Sequence, residues 1–212
     1  MPSAQALTLS EAGYVLDRPP ALLNKAVDTG VIRARQRRVG SAIQRLLGPA
    51  EMRFLLVAER LDKDLTPRGR RRLYDAIRQL DDDVHRISLG EVVLDLGKVD
   101  RDLQIRLERL EALRGCVEPV EDGTEPVIKG TRIPVYMVAA LARKQTAAEI
   151  GEDFPSLSRK QIEGAIEYAK AYPKRGRPYP TTSLKRALAD LAELGAFDES
   201  ADDTTASPRE IP

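Results

Sequence analysis

The chain has 212 residues, 32% of them charged, yet its 34 Lys and Arg nearly cancel its 33 Asp and Glu to leave +1 at pH 7. That length suits one or two domains with ordinary cores, and the near-neutral balance excludes a uniformly basic nucleic-acid coat, leaving only local patches. One Cys (Cys116) and one His (His85) exclude an internal disulfide and the Cys/His ligand sets of structural zinc, while 4% aromatics and no Trp leave the cores to Leu, Ile, Val and Ala. The opening residues have no basic flank and apolar run of a secretory leader, and no stretch is apolar enough to span a membrane. A cytoplasmic location without membrane association is the expectation.

Thr8, with Glu11 three residues on, forms a capping-box pattern that opens a first helix through Ala12, Val15 and Leu16. Asp17-Arg18-Pro19-Pro20 interrupts it and starts a second helix, carrying Leu22, Leu23, Ala26 and Val27, which Gly30 ends. Two short helices across such a turn form a helix-turn-helix pattern whose second helix would enter a major groove, with Asn24 and Lys25 as its polar candidates for base edges. The wording LTLSEAGYVLDRPPALLNKAVDTGVI resembles the start of a MerR-like winged helix-turn-helix, although Arg18-Pro19-Pro20 replaces the usual turn residues. The segment Val31 to Val39, with Arg33, Arg35, Arg37 and Arg38, then reads as a basic ribbon, and Arg45-Leu46-Leu47 returns beside it. An arginine-laden hairpin is what a wing needs, since guanidinium groups neutralise phosphates and enter minor grooves; the alternative is a merely solvated face.

After Gly48-Pro49 a helix carries Met52, Leu55, Leu56 and Leu61, and Thr66-Pro67 caps another with Leu73, Ile77 and Leu80 on one face before Asp81-Asp82-Asp83 closes the segment. Arg86 to Leu96 reads as strand with a turn or bulge at Gly90, and a strand pair this short is marginal alone and needs another partner, either a neighbouring domain or a second copy, in which an orphan strand would pair across a dimer axis. Leu103, Leu107, Leu110 and Leu113 stripe a helix, as an ordinary core face or as a dimer seam. His85 stands alone and is expected to be solvated or locally hydrogen-bonded.

The run EPVIKGTRIPV holds Gly130 at a turn, with a second turn at Gly123. The Val127/Ile128 and Ile133/Val135 pairs give short strands apolar cover. Pro134 through Ala142 follows as a helix, Thr146 with Glu149 caps a second through Ile150, and Ser158 caps a third running toward Tyr172. Ile150, Phe154, Leu157 and Ile162 should pack together. This trihelical pattern is homeodomain-like and puts Arg159 and Lys160 at the start of the third helix. Glu163 and Glu167 would oppose phosphate there, so DNA contact and protein packing both stay open. The wording PVIKGTRIPV, then ALARKQTAAEIGEDFPSLSRKQIEGAIEYA, resembles the bacterial family called domain of unknown function 433, found in VapB-type antitoxins.

Tyr172 to Pro180 has three prolines and a glycine and should run extended; its core PKRGRP resembles an AT-hook, with Arg175 and Arg177 flanking the glycine. Ser183 then caps a helix with Leu184, Leu188, Leu191 and Leu194 on one face, Lys185 and Arg186 on the polar side and a stop at Gly195. From about Asp198 the chain is polar and expected to be disordered. The resemblance implies that these tail residues wrap a PIN-domain ribonuclease toxin, the arginines neutralising its carboxylates and the leucines filling a groove. The bland alternative is a helix docked on its own domain.

The sequence thus predicts a mainly α protein with short β hairpins. It has a winged helix-turn-helix-like unit (1–84), a strand and helix connector with a dimerisation role (85–115), the antitoxin-like trihelical unit (116–172) and an extended toxin-binding tail (173–212). Nothing supplies a nucleophile beside a base, a metal cluster or a phosphate loop, so no enzyme, cofactor or metal is expected. The expected function is that of a homodimeric antitoxin which inhibits a PIN-domain ribonuclease and represses its own operon at operator DNA. The alternative is a stand-alone transcription regulator.

Overall fold

The computed structural model describes residues 6–61, 63–81, 84–120 and 125–194. The expected turn at Gly123, the helix stop at Gly195 and the polar tail from about Asp198 lie outside them, as do Asp82 and Asp83. Among the described residues the chain is mainly α, with nine helices and three small antiparallel sheets. None of the described helices is long and apolar enough to cross a membrane.

Strand β1 (Leu7–Thr8) runs directly into α1 (Leu9–Leu16), whose first turn is closed by the reciprocal Thr8 and Glu11 capping box. The helix ends on Asp17 in the left-handed region at φ 54°, a conformation that Asp tolerates better than most residues. The Arg18 N–H donates to the Gly13 carbonyl at 2.8 Å. A Cβ at Gly13 would stand 2.7 Å from the Arg18 carbonyl oxygen, so this tight return needs glycine there. Helix α2 (Pro20–Asp28) starts on its own proline, which needs no N–H at that position. Strands β2 (Arg35–Val39) and β3 (Ala42–Leu47) form a hairpin, and β1 pairs with the other edge of β3 to give the order β1-β3-β2.

Helix α3 (Pro49–Arg60) and helix α4 (Pro67–Arg78) cover this sheet and the two first helices, burying Phe54 against Tyr74 with ring centroids 5.0 Å apart. The Tyr74 hydroxyl donates to Glu51 at 2.7 Å and accepts the Arg33 N–H at 2.9 Å. Burial, and then the bond to Glu51, push its pKa up to about 12 against the Arg33 N–H, and the two hydrogen bonds together tie the root of the hairpin to α3.

The segment 86–96 turns at Gly90, as expected. It folds back on itself as β4 (Arg86–Leu89) and β5 (Val92–Asp95) around Gly90 at φ 70°, so the two halves pair with each other. Helix α5 (Gly97–Arg114) then buries Val99, Leu103, Leu110 and Leu113 in the core that holds Leu23, Leu47, Phe54 and Leu73. The stretch 86–114 therefore shares the core of the helices and hairpin that precede it. A buried ion pair fastens it: Arg53 Nε donates to Asp100 at 2.6 Å, and the other Asp100 oxygen lies 2.6 Å from His85 Nδ1.

A second core gathers Ile128, Val135, Val138, Leu141, Ile150, Leu157, Ile162 and Ala165. It is built by β6 (Val117–Glu118), β7 (Val127–Ile128), α6 (Val135–Leu141), α7 (Ala147–Asp153) and α8 (Arg159–Ala171). The turn at Gly130 forms as expected, but the strand expected after it does not. Only Val127 and Pro134 make a bridge, because proline has no N–H to continue a ladder and Val135 begins a helix. The partner that β7 takes is β6, whose two residues carry no strand pattern of their own.

The two cores meet along α8. Tyr168 packs against both, and Ala171 is buried in the first. The Tyr14 hydroxyl and Arg109 Nη2 donate to the same Glu167 oxygen at 3.0 and 3.1 Å. Arg114 donates to Glu11 and to the Tyr172 hydroxyl, each at 2.8 Å. Burial alone would raise the Glu11 carboxyl, but the Thr8 N–H and the Arg114 guanidinium outweigh it and hold the group below the usual carboxylate range.

Candidate nucleic-acid interface

The β2–β3 hairpin is anchored by apolar side chains at its root and carries charge beyond it. Leu46 and Leu47 are buried, whereas every residue of β2 and the tip residues Ala42 and Ile43 are exposed. Its two-residue loop places Gly40 at φ 61°, the left-handed position that a tight hairpin turn requires. Register decides where the guanidinium groups go, since side chains alternate across the sheet. Arg35 and Arg37 share one face, opposite Leu46 and Gln44, and Arg38 shares the other with Arg45. Arg37 donates to Gln44 at 2.7 Å, which holds its planar group along the hairpin. Arg33, before the strand, is also exposed.

Helix α2 lies beside this hairpin, and here the structure changes the role of one expected site residue. Arg45 crosses from β3 to donate to Asn24 Oδ1 at 2.7 Å and to Asp28 at 2.6 Å, while Asn24 Nδ2 donates to Asp28 at 3.2 Å. Both ends of the Asn24 amide are therefore engaged inside the protein, fastening the hairpin to α2, because a β3 arginine reaches across to it. Lys25 is exposed. Arg45, expected only as part of a returning strand, is the residue that makes the helix and the hairpin one surface.

Arg159 and Lys160 begin α8 and are exposed, but Arg159 donates to Glu163 at 2.8 Å on its own helix. The second half of α8 is covered by α1 and α5 through Glu167, Tyr168 and Ala171. The first turn of this helix is open, as are Glu163 and Lys170 further along it.

The tail follows α8 without regular structure as far as Thr182. Lys174 forms an ion pair with Glu125, and its Nζ lies 5.1 Å from the Tyr179 ring centroid and 5.9 Å from that of Tyr136. The Tyr179 hydroxyl donates to the other Glu125 oxygen at 2.8 Å. The Lys174 contact holds the Glu125 carboxyl below its ordinary range. Gly176 takes φ 88°, and Arg175 is carried to a cleft of about 290 Å³ lined by Thr8, Ser10, Asn24, Gln44 and Arg45. Arg177 is exposed on the far side of the clip, beside Glu125 and Tyr179.

Helix α9 (Leu184–Glu193) is anchored at its first turn alone. Ser183, its N-cap, is buried. Arg186 donates to Asp153 at 3.3 Å and to Glu149 at 3.1 Å, so this arginine, expected to face a partner, instead holds α9 on α7. Asp153 also accepts from Gln145 Nε2 at 3.0 Å, and the Ser183 hydroxyl is the first cause of its lowered pKa. The leucines touch no such anchor: Leu184, Leu188, Leu191 and Leu194 are 76, 46, 44 and 81% exposed. Lys185 is exposed beside them.

Residues 122–169 match the family described as "Protein of unknown function (DUF433)", which covers β7 through most of α8. The chain is also 36% identical over 141 residues to "Uncharacterized protein y4eO" of Sinorhizobium fredii. That match takes in 65% of this chain and 59% of the length of that relative. No solved structure matches the chain.

Proposed function

We propose that this protein is an antitoxin that binds and inhibits a PIN-domain ribonuclease and represses its own operon. The observation that carries the reading is the leucine row of α9, exposed along a helix whose first turn is clamped by Ser183 and Arg186. An amphipathic helix presented in this way is complementary to an apolar groove on a partner. Each leucine fully buried there contributes about 1.5–3 kcal/mol of transfer free energy before ordering costs. Arg177 and Lys185 are exposed and would offer charge to a carboxylate cage of a magnesium-dependent nuclease. The arginine hairpin and α1–α2 act as a winged helix-turn-helix on operator DNA, working as a homodimer on a two-fold site. The protein is a binding partner and not an enzyme.

Co-expression with the product of an adjacent PIN-encoding gene, followed by pull-down and a ribonuclease assay, tests the proposal. The full chain should co-purify with the nuclease and silence it, and a chain ending at Tyr172 should release active nuclease while still binding operator DNA through the hairpin at reduced affinity. If the shortened chain neutralises the nuclease at equal concentration, the tail is not the inhibitor. If the full chain binds DNA but no nuclease, the second reading, a stand-alone transcription regulator, takes its place; the arginine hairpin is the feature that favours it.

A further inference from the structure

We infer that Arg175, although it belongs to the tail, is part of the nucleic-acid surface, and that the Glu125 clip is the device that positions it there. The inference rests on the DNA-binding reading of the hairpin and assigns one residue of the tail to that site. Arg175 lines the same cleft as Asn24 and Arg45, beneath the hairpin and at the start of α1, although it lies over a hundred residues away in the chain. Arg177, only two residues on, lines a different cleft with Glu125, Lys174 and Tyr179. The pair therefore does not act as one unit, as the glycine-centred PKRGRP pattern suggests.

The separation has a physical cause. Lys174 is held by the Glu125 carboxylate and by two tyrosine rings, and Tyr179 closes the loop on the same carboxylate. Between these two fixed points Gly176 adopts φ 88°, a turn that a residue with a side chain rarely takes, so Arg175 and Arg177 leave in different directions. Asp28, the acid beside the cleft, is already neutralised by Arg45. Glu11, which accepts the N–H of Thr8 in the lining, is likewise held by Arg114, so both of these carboxylates are paired where a duplex phosphate would meet Arg175. Arg175 is exposed, and Gln44, which lines its cleft, is the residue that holds Arg37, so the two guanidinium groups flank one side chain of the hairpin. The matched family's segment then has a positioning role in DNA binding: Glu125, just before β7, fixes where the tail arginine stands.

The test uses the full chain, with fluorescence anisotropy on a duplex taken from the DNA upstream of its own coding sequence, titrated with salt. Arg175→Ala should weaken binding about three- to tenfold and reduce the salt slope by about one, as loss of one phosphate contact does. Arg177→Ala should leave both unchanged. Glu125→Gln should weaken binding and lower the slope in the same direction as Arg175→Ala, since a displaced guanidinium no longer meets the phosphate; unchanged binding by Glu125→Gln would overturn the positioning role of the clip. Equal losses from Arg175→Ala and Arg177→Ala would overturn the inference in favour of an independent hook. Unchanged DNA binding by Arg175→Ala, with a loss from Arg37→Ala/Arg38→Ala, would overturn it and leave the hairpin reading standing. Loss of nuclease inhibition by Arg175→Ala with DNA binding intact would reassign the residue to the protein partner. No binding by the wild-type chain, or no effect of the hairpin variant, would overturn both readings.

Discussion

The arginine hairpin and helix α9 are built on opposite plans. The hairpin presents charge and is rooted in the core by buried Leu46 and Leu47, beside the polar ties of Arg45 to α2 and of Arg33 to Tyr74. Helix α9 presents leucines and is held by polar contacts, through Ser183, Arg186 and Asp153. In α9 the anchor is the chemistry that the presented face lacks, which keeps the face from turning inward. A leucine row free to do so would bury itself on its own domain. One surface is thus complementary to phosphate, and the other to an apolar groove.

The comparison is broken most directly with the same substitution at both places. Leu47→Ala should cost about 2–5 kcal/mol by urea denaturation, because Leu47 is fully buried and its loss leaves a cavity. Leu188→Ala, on an exposed face, should change stability by less than about 0.5 kcal/mol. Equal costs would mean that α9 is packed on its own domain in solution. Next in size, Leu188→Asp or Leu191→Asp should dissociate the nuclease complex, weakening it at least about tenfold on the loss of one buried leucine. DNA affinity and the melting midpoint should stay as in the wild type.

Replacing Arg35, Arg37 and Arg38 together with Ala should reverse that pattern. DNA affinity should fall and the salt slope drop by about one per phosphate contact removed, with nuclease binding retained. An unchanged slope in a mobility-shift titration would remove the hairpin from the interface. The smallest effect is a pH dependence at the α8 junction, which links the two surfaces. Burial would raise the Glu167 carboxyl, but Lys170 and Tyr14 outweigh it, so Glu167, like Glu11, is depressed in the fold. The stability these groups confer is present above their unfolded range, about pH 4–5, and is lost as pH falls through their lowered folded values. Tyrosine fluorescence, reporting on Tyr14, Tyr168 and Tyr172, should show loosening below about pH 4, and Glu11→Gln should flatten that acid limb.

Much of the fold was legible in residues that act locally. The capping boxes at Thr8, Thr146 and Ser158, the prolines opening α2, α3 and α4, and the return of β3 beside β2 depend on neighbours a few positions away. The Leu103, Leu110 and Leu113 stripe was legible as a helix face, but not its destination in the first core. The pairing of β7 with β6 was not legible either, since two residues carry no periodicity. The arginine content of the hairpin and the leucine row of α9 are properties of the sequence alone, because composition and period fix which residues share a face. Tertiary structure decided which of those charges stay available. Arg186 went to α7, Asn24 was taken by Arg45, and Arg175 was carried to the hairpin while Arg177 was not. A guanidinium takes whichever acceptor or cleft the fold brings within reach, and that proximity arises between segments too far apart in the chain for any local pattern to record it.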